Sequence, residues 1–373
     1  VIGGTATIDA GSGNDITLSD GSNNFATVII TAGDNVTLAD AGAIALGAST
    51  VSGTYSVTAG GAITDIGTLA ITGAATFVAT SSYDITLNNA SNNFSSVIIT
   101  SGRNVTLVDA GAIALGASTV SGTYSVATAG AVTQSGALAI TGATTISASG
   151  YNVTLNDVTN DFVGAVGITG ATVSVVDAGA ILLGDSTVSG TYAVTATSGG
   201  GITDAGTLAI SNGSTFTVPG GQSIILDSTS TFSSAVAYTS AGTIASITIT
   251  DTGALVLPAL TLAGNLSVTA AGAITQSGAL AIGGDTTISN SGHDVTLTTA
   301  SNNFQGAVEI TGANVQVRDA GAIDLGASTV SGTYTVTAAG AITNSGALAI
   351  AGAATFVATS SYDITLNHAS NNF

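Results

Sequence analysis

The 23 residues from Asn104 to Val126 read NVTLVDAGAIALGASTVSGTYSV, and they decide the fold. Val105 and Leu107 flank Thr106, and Tyr124 and Val126 flank Ser125, an alternation of period two that turns one set of side chains inward and the other outward. These apolar pieces are only three to five residues long and are separated by Gly, Asp, Asn and Ser. Glycine recurs too often, and β-branched residues are too common, for a helix, and no stripe of period 3.6 exists. Strands this short cannot stand as isolated hairpins, so they must stack on other copies of themselves.

Copies are abundant. Residues 109–126 repeat residues 40–57 letter for letter, and residues 72–94 match residues 351–373 at all but two positions. The motif SNNF or a variant places Phe at 25, 94, 162, 232, 304 and 373, in steps of 69, 68, 70, 72 and 69 residues. A second anchor, DAGAI, begins at Asp40, Asp109, Asp177 and Asp319, with DTGAL at Asp251. A fixed period of this size marks a repeat architecture. Within one period, Val120, Ile140, Ile168 and Val188 head similar turns, which predicts three coils of 20, 28 and 20 residues. The segment around Asn160-Asp161-Phe162 is read as an insertion in the long coil. The expectation is an all-β parallel β-solenoid, one continuous domain over 1–373, of about five repeats and roughly fifteen coils rising about 4.8 Å each. Corner glycines such as Gly122 are expected to supply φ > 0.

The composition agrees. Cys, Met, Trp and Lys are missing, Gly numbers 50, hydrophobic residues make up 45 % and charged ones 6 %. That is too apolar for a disordered linker, and no run reaches membrane length. The net charge of −19, with only Arg103 and Arg318 as fixed cations, argues against nucleic acid and anionic membranes as partners.

Runs such as NDITL, NVTLVDAGAI, ITQSGALAI and ASNNF resemble the repeat region of large bacterial surface proteins of the filamentous haemagglutinin type. The resemblance implies a right-handed β-helix, export by two-partner or autotransporter-like secretion, and a place on the cell surface. No binding residue of that family maps onto a position here.

Candidate sites are few. Asp15, in a Gly-Ser-Gly-Asn-Asp run, and the anchors Asp40, Asp109, Asp177, Asp251 and Asp319 invite a calcium reading. The anchors are expected every third coil, too far apart to share an ion, so turn capping is the stronger expectation and no metal or other cofactor is assigned. The Asn pairs (Asn23-Asn24, Asn92-Asn93, Asn302-Asn303, Asn371-Asn372) are read as tight turns before a tucked Phe. Tyr55, Tyr124, Tyr192 and Tyr334 are given an apolar role, because Leu266 takes the fifth position. No nucleophile–base pair or carboxylate–cation cluster has a recognisable spacing, so catalysis is not expected. Thr-x-Thr rows for ice binding look sporadic, as at Thr248-Ile249-Thr250.

One stretch, residues 213–272, diverges: it holds both prolines, Pro219 and Pro258, and replaces SNNF with STSTF. The chain opens in the phase of Ala139 and closes in the phase of Phe94, which reads as an excerpt of a longer array. The functional expectation is an extracellular structural fibre or stalk on a cell surface, continuing or self-associating end to end. The alternative is an adhesin for a glycan or cell-surface receptor; an ice-binding or polysaccharide-active β-helix is the remote one.

Overall fold

A computed structural model describes residues 2–359 and 361–373. Every regular element in it is a strand, from Ile2–Asp9 to Ile364–Thr365, and every strand pairing described is parallel (for example Val105 with Tyr124). Two compact units, Val1–Gly190 and Thr191–Phe373, are β-solenoids, together about 18 turns.

In the first unit one side of the coil can be followed through Ile85, Val105, Tyr124, Thr144 and Val166, each paired with the next. The steps after Val105 are 19, 20 and 22 residues, so no coil has 28. Away from the two ends of the chain, inward strand positions are mostly buried and outward ones half-buried or exposed, as in Val105–Asp109 with its strict alternation. The core is a narrow stack of Val, Ile and Leu with aromatic rings at intervals.

The coil count corrects the expectation of three coils per repeat. From Val105–Asp109 to Val166–Gly170 one repeat contributes ten strands, while three strands close a coil. A repeat is therefore three and a third turns. The remainder shows at each seam: the first strand of a repeat stacks on the second side of the preceding coil, with Val36 on Ile16, Val105 on Ile85 and Val173 on Val153. The second unit repeats it with Ile247 on Ile224 and Val315 on Val295. What reads as an insertion at Asn160–Phe162 is the third side of one coil, the two-residue strand Asp161–Phe162 paired with Ala139–Ile140.

The glycine expectation also needs correction. Positive φ occurs at Gly11, Gly150, Gly199, Gly221 and Gly292 among the described residues, and Gly122 is not one of them. A Cβ on Gly122 would collide with the Asn104 side chain and the Arg103 carbonyl of the neighbouring coil. Close approach of backbones at the strand spacing, and not left-handed conformation, excludes a side chain there.

The diverged stretch keeps the coil. Pro219 directly follows strand Ser214–Val218 and Pro258 sits between Leu255–Leu257 and Leu260–Leu262, corners where no ladder N–H is needed. Without SNNF the turn is lost, and Ile224–Phe232 runs through as one nine-residue strand with a register shift between Leu226 and Ser230.

Candidate functional site

The five anchor aspartates end the first strand of each repeat pointing inward, which buries them. A buried carboxylate needs donors, and each finds two backbone N–H groups. Asp109 accepts from Gly111 N, two residues on, at 2.7 Å and from Phe94 N, fifteen residues back, at 2.6 Å. Asp40 does the same with Gly42 (2.8 Å) and Phe25 (2.6 Å), and Asp319 with Gly321 (2.6 Å) and Phe304 (2.7 Å). Asp177 accepts from Gly179 at 2.6 Å and Phe162 at 2.8 Å. The anchor thus ties its own turn to the SNNF turn. Burial pushes the carboxyl groups of Asp109, Asp177, Asp251 and Asp319 up from the ordinary range, and the two N–H bonds oppose the push.

Asp251 departs from the pattern. Its Oδ1 takes both bonds, at 2.9 Å from Gly253 and a long 3.4 Å from Phe232, and its Oδ2 is buried without a partner. Tyr238 lies at the end of the preceding repeat; its hydroxyl is buried and likewise unpartnered, and burial followed by the Asp251 charge pushes it up.

The remaining calcium candidate, Asp15, lies on an exposed corner, where its Oδ1 accepts from Asn35 N at 3.1 Å and Asn35 Nδ2 at 3.0 Å. Asn35 Oδ1 accepts in turn from Thr54 N and Oγ1. The same three-coil stack recurs as Asp84–Asn104–Thr123 and Asp294–Asn314–Thr333. Sequence reasoning missed these stacks, although the spacings of 20 and 19 residues were there to be read. At Asp84 the Arg103 guanidinium adds a two-pronged ion pair, at 2.8 and 3.0 Å, which holds the carboxyl down at about 2. Among the described residues, no group of three or more His, Cys, Asp or Glu is arranged to hold a metal ion.

The Asn pairs form a turn, and their first Asn, or Asn160 at the equivalent Asn-Asp, goes further. Asn160 and Asn302 are fully buried; their Oδ1 atoms accept from Leu138 N at 2.9 Å and Leu280 N at 3.0 Å, and their amides meet Gln134 and Gln276. Asn92 makes the corresponding bonds to Leu69 N and Asp65. The following Phe is buried at 25, 94, 162, 232 and 304. Tyr55, Tyr124, Tyr192 and Tyr334 are fully buried, as their apolar reading requires. The exposed tyrosines are different ones: Tyr83, Tyr151 and Tyr362, which with exposed His293 share one corner position of the repeat. Beside Tyr151 runs an open groove of about 430 Å³ floored by Val108, Ala127 and Ser147.

No helix of the described residues is long and apolar enough to cross a membrane. No curated protein and no solved structure matches the chain. One family model matches nearly all of it in six consecutive segments, residues 1–32, 33–101, 102–169, 170–239, 244–311 and 312–373, whose boundaries fall just before the first strand of each repeat. The chain belongs to the family described as Repeats of unknown function (DUF5649).

Proposed function

We propose that the chain is a structural segment of an extracellular surface protein, a stiff fibre or stalk whose role is geometric. The observation that carries this reading is the parallel backbone ladder along the coils of each unit, re-formed at the seams within it. Bending such a stack means breaking backbone bonds on one side, which resists deformation. The acidic surface supports it by keeping neighbouring copies apart. The test is electron microscopy of the purified protein with and without a calcium chelator. Thin straight rods unchanged by chelation are expected; compact particles, or rods that soften without calcium, would overturn the reading.

An adhesive role is the second reading, and the exposed rings at one recurring corner favour it, because an open aromatic face suits the apolar face of a neutral sugar. Tyr83, Tyr151 and Tyr362 changed together to Ser should abolish attachment to glycan-coated surfaces while leaving the rods intact. Unchanged attachment would remove this reading.

A further inference from the structure

We propose that Asn212 is a site of spontaneous covalent modification, its side-chain amide passing through a cyclic imide with Gly213 to aspartate and isoaspartate. Asn-Gly occurs once in the chain. It occupies the corner between strands Leu208–Ile210 and Ser214–Val218, with Asn212 exposed. The same corner in the other repeats reads Gly73-Ala74, Gly142-Ala143, Gly284-Asp285 and Gly352-Ala353, so the pair belongs to this repeat alone.

The chemistry balances without any oxidant or reductant. The Gly213 backbone nitrogen bonds to Asn212 Cγ and loses its proton, while the Cγ–Nδ2 bond breaks and ammonia leaves. Solvent water then opens the five-membered imide at either carbonyl. One route leaves an ordinary aspartate in place of Asn212, and the other gives an isoaspartyl link with one extra methylene in the main chain. Glycine at the second position favours closure, because it leaves the nitrogen uncovered and the backbone free to rotate.

The structure also explains why several other asparagines are protected. Ring closure needs the next residue's N–H, and at these positions that group is committed. The N–H after Asn104 (Val105) donates to Thr123 O at 2.8 Å, and those after Asn35 and Asn314 (Val36, Val315) to Thr54 O and Thr333 O at 2.8 Å. After Asn93 it is Phe94 N, held by Asp109 at 2.6 Å. Gly213 instead lies in the corner, ahead of its strand, where an added Cβ would meet nothing closer than the Ala235 carbonyl at 3.7 Å.

That spacing also makes the control variant safe, since Gly213→Ala reproduces the residue found at 74, 143 and 353. The full chain is held in warm, mildly alkaline buffer, digested, and the peptide spanning residue 212 is followed by mass spectrometry and isoaspartyl methylation. Conversion concentrated at Asn212, accelerating with pH and slowed about tenfold or more by Gly213→Ala, is expected. Circular dichroism should confirm that this variant folds. Retention of the Asn212 amide while Asn93 or Asn104 converts, or equal rates in the two proteins, would overturn the proposal.

Discussion

At the scale of single residues, the repeats solve one packing problem in more than one way. Phe77 stands edge-on to Tyr55 and Phe94, with ring centroids 6.2 Å apart in both cases, and the nearby inward position is Ala75. Where that aromatic is Ile146 or Ile288, the small position widens to Thr144 or Thr286; where it is Phe216 or Phe356, it shrinks to Ser214 or Ala354. Volume is conserved across the pair, as close-packed cores require. Phe77→Ala should cost about 3–5 kcal/mol. In a double-mutant cycle, Ala75→Thr should be less harmful beside Phe77→Ile than beside native Phe77, a coupling read from urea midpoints. A second exchange pairs Tyr with Ser. Ser118 accepts Ile99 N at 3.2 Å and donates to Gly116 O at 2.8 Å, and it adjoins the buried Tyr124 hydroxyl, which has no bond of good geometry. In the diverged repeat both positions are leucine, Leu260 and Leu266. Tyr124→Phe is therefore expected to be neutral or stabilising, whereas Ser118→Ala orphans a buried N–H and should cost about 1–3 kcal/mol in the same denaturation assay.

At the scale of elements, the anchor is the piece that joins one turn to another. Replacing Asp109 by Asn keeps one acceptor and sets an amide N–H₂ against an N–H donor, so a loss of about 1–3 kcal/mol is expected, with hydrogen exchange rising at Phe94 and Gly111. An unchanged exchange rate at both amides would show that the carboxylate is not their cap. The anchor was visible in the sequence as DAGAI, and so were the strands with clean alternation such as Val105–Asp109. The strand Asp161–Phe162 was not, because two residues carry no period to recognise. That single omission turned three and a third turns into three. The corner stacks escaped for a related reason: Asp15, Asn35 and Thr54 look like ordinary turn residues, and only a register places them in line. Corner glycines misled in the other direction, since Gly122 looks identical whether a left-handed turn or a neighbouring coil excludes its side chain.

At the scale of the whole molecule, charge and topology each make a demand. Twenty-one carboxylates face two arginines, so lowering the pH from neutral relieves repulsion before it breaks contacts. The groups pushed up by burial, Asp109, Asp177, Asp251 and Asp319, act in the same sense: their contribution to stability is full below the ordinary Asp range and is lost as pH rises through their folded values. Asp84 acts oppositely, giving support above the ordinary range that disappears as pH falls toward about 2, and solvent exposure keeps it small. The urea midpoint should therefore hold or rise between neutrality and the ordinary Asp range; a fall over that interval would mean the anchors are stabilised as anions.

Topology is the stricter demand, because ten strands on a three-sided coil leave each side's identity dependent on strand count and not on residue count. Removing residues 124–143 takes out one full coil of three strands, so Val105 would stack on Thr144 in place of Tyr124, and inward positions would stay inward. Removing residues 124–136 deletes only two strands, and every strand that follows would arrive on the wrong side, against neighbours of unmatched length and corner chemistry. The longer deletion should retain β circular dichroism and a single cooperative transition, with a midpoint lowered by the lost Gln134–Asn160 bracket. The shorter one should expose apolar surface and aggregate. If the two behave alike, the side of the coil is not set by counting strands, and the seam geometry at Ile85 and Val105 would need another cause.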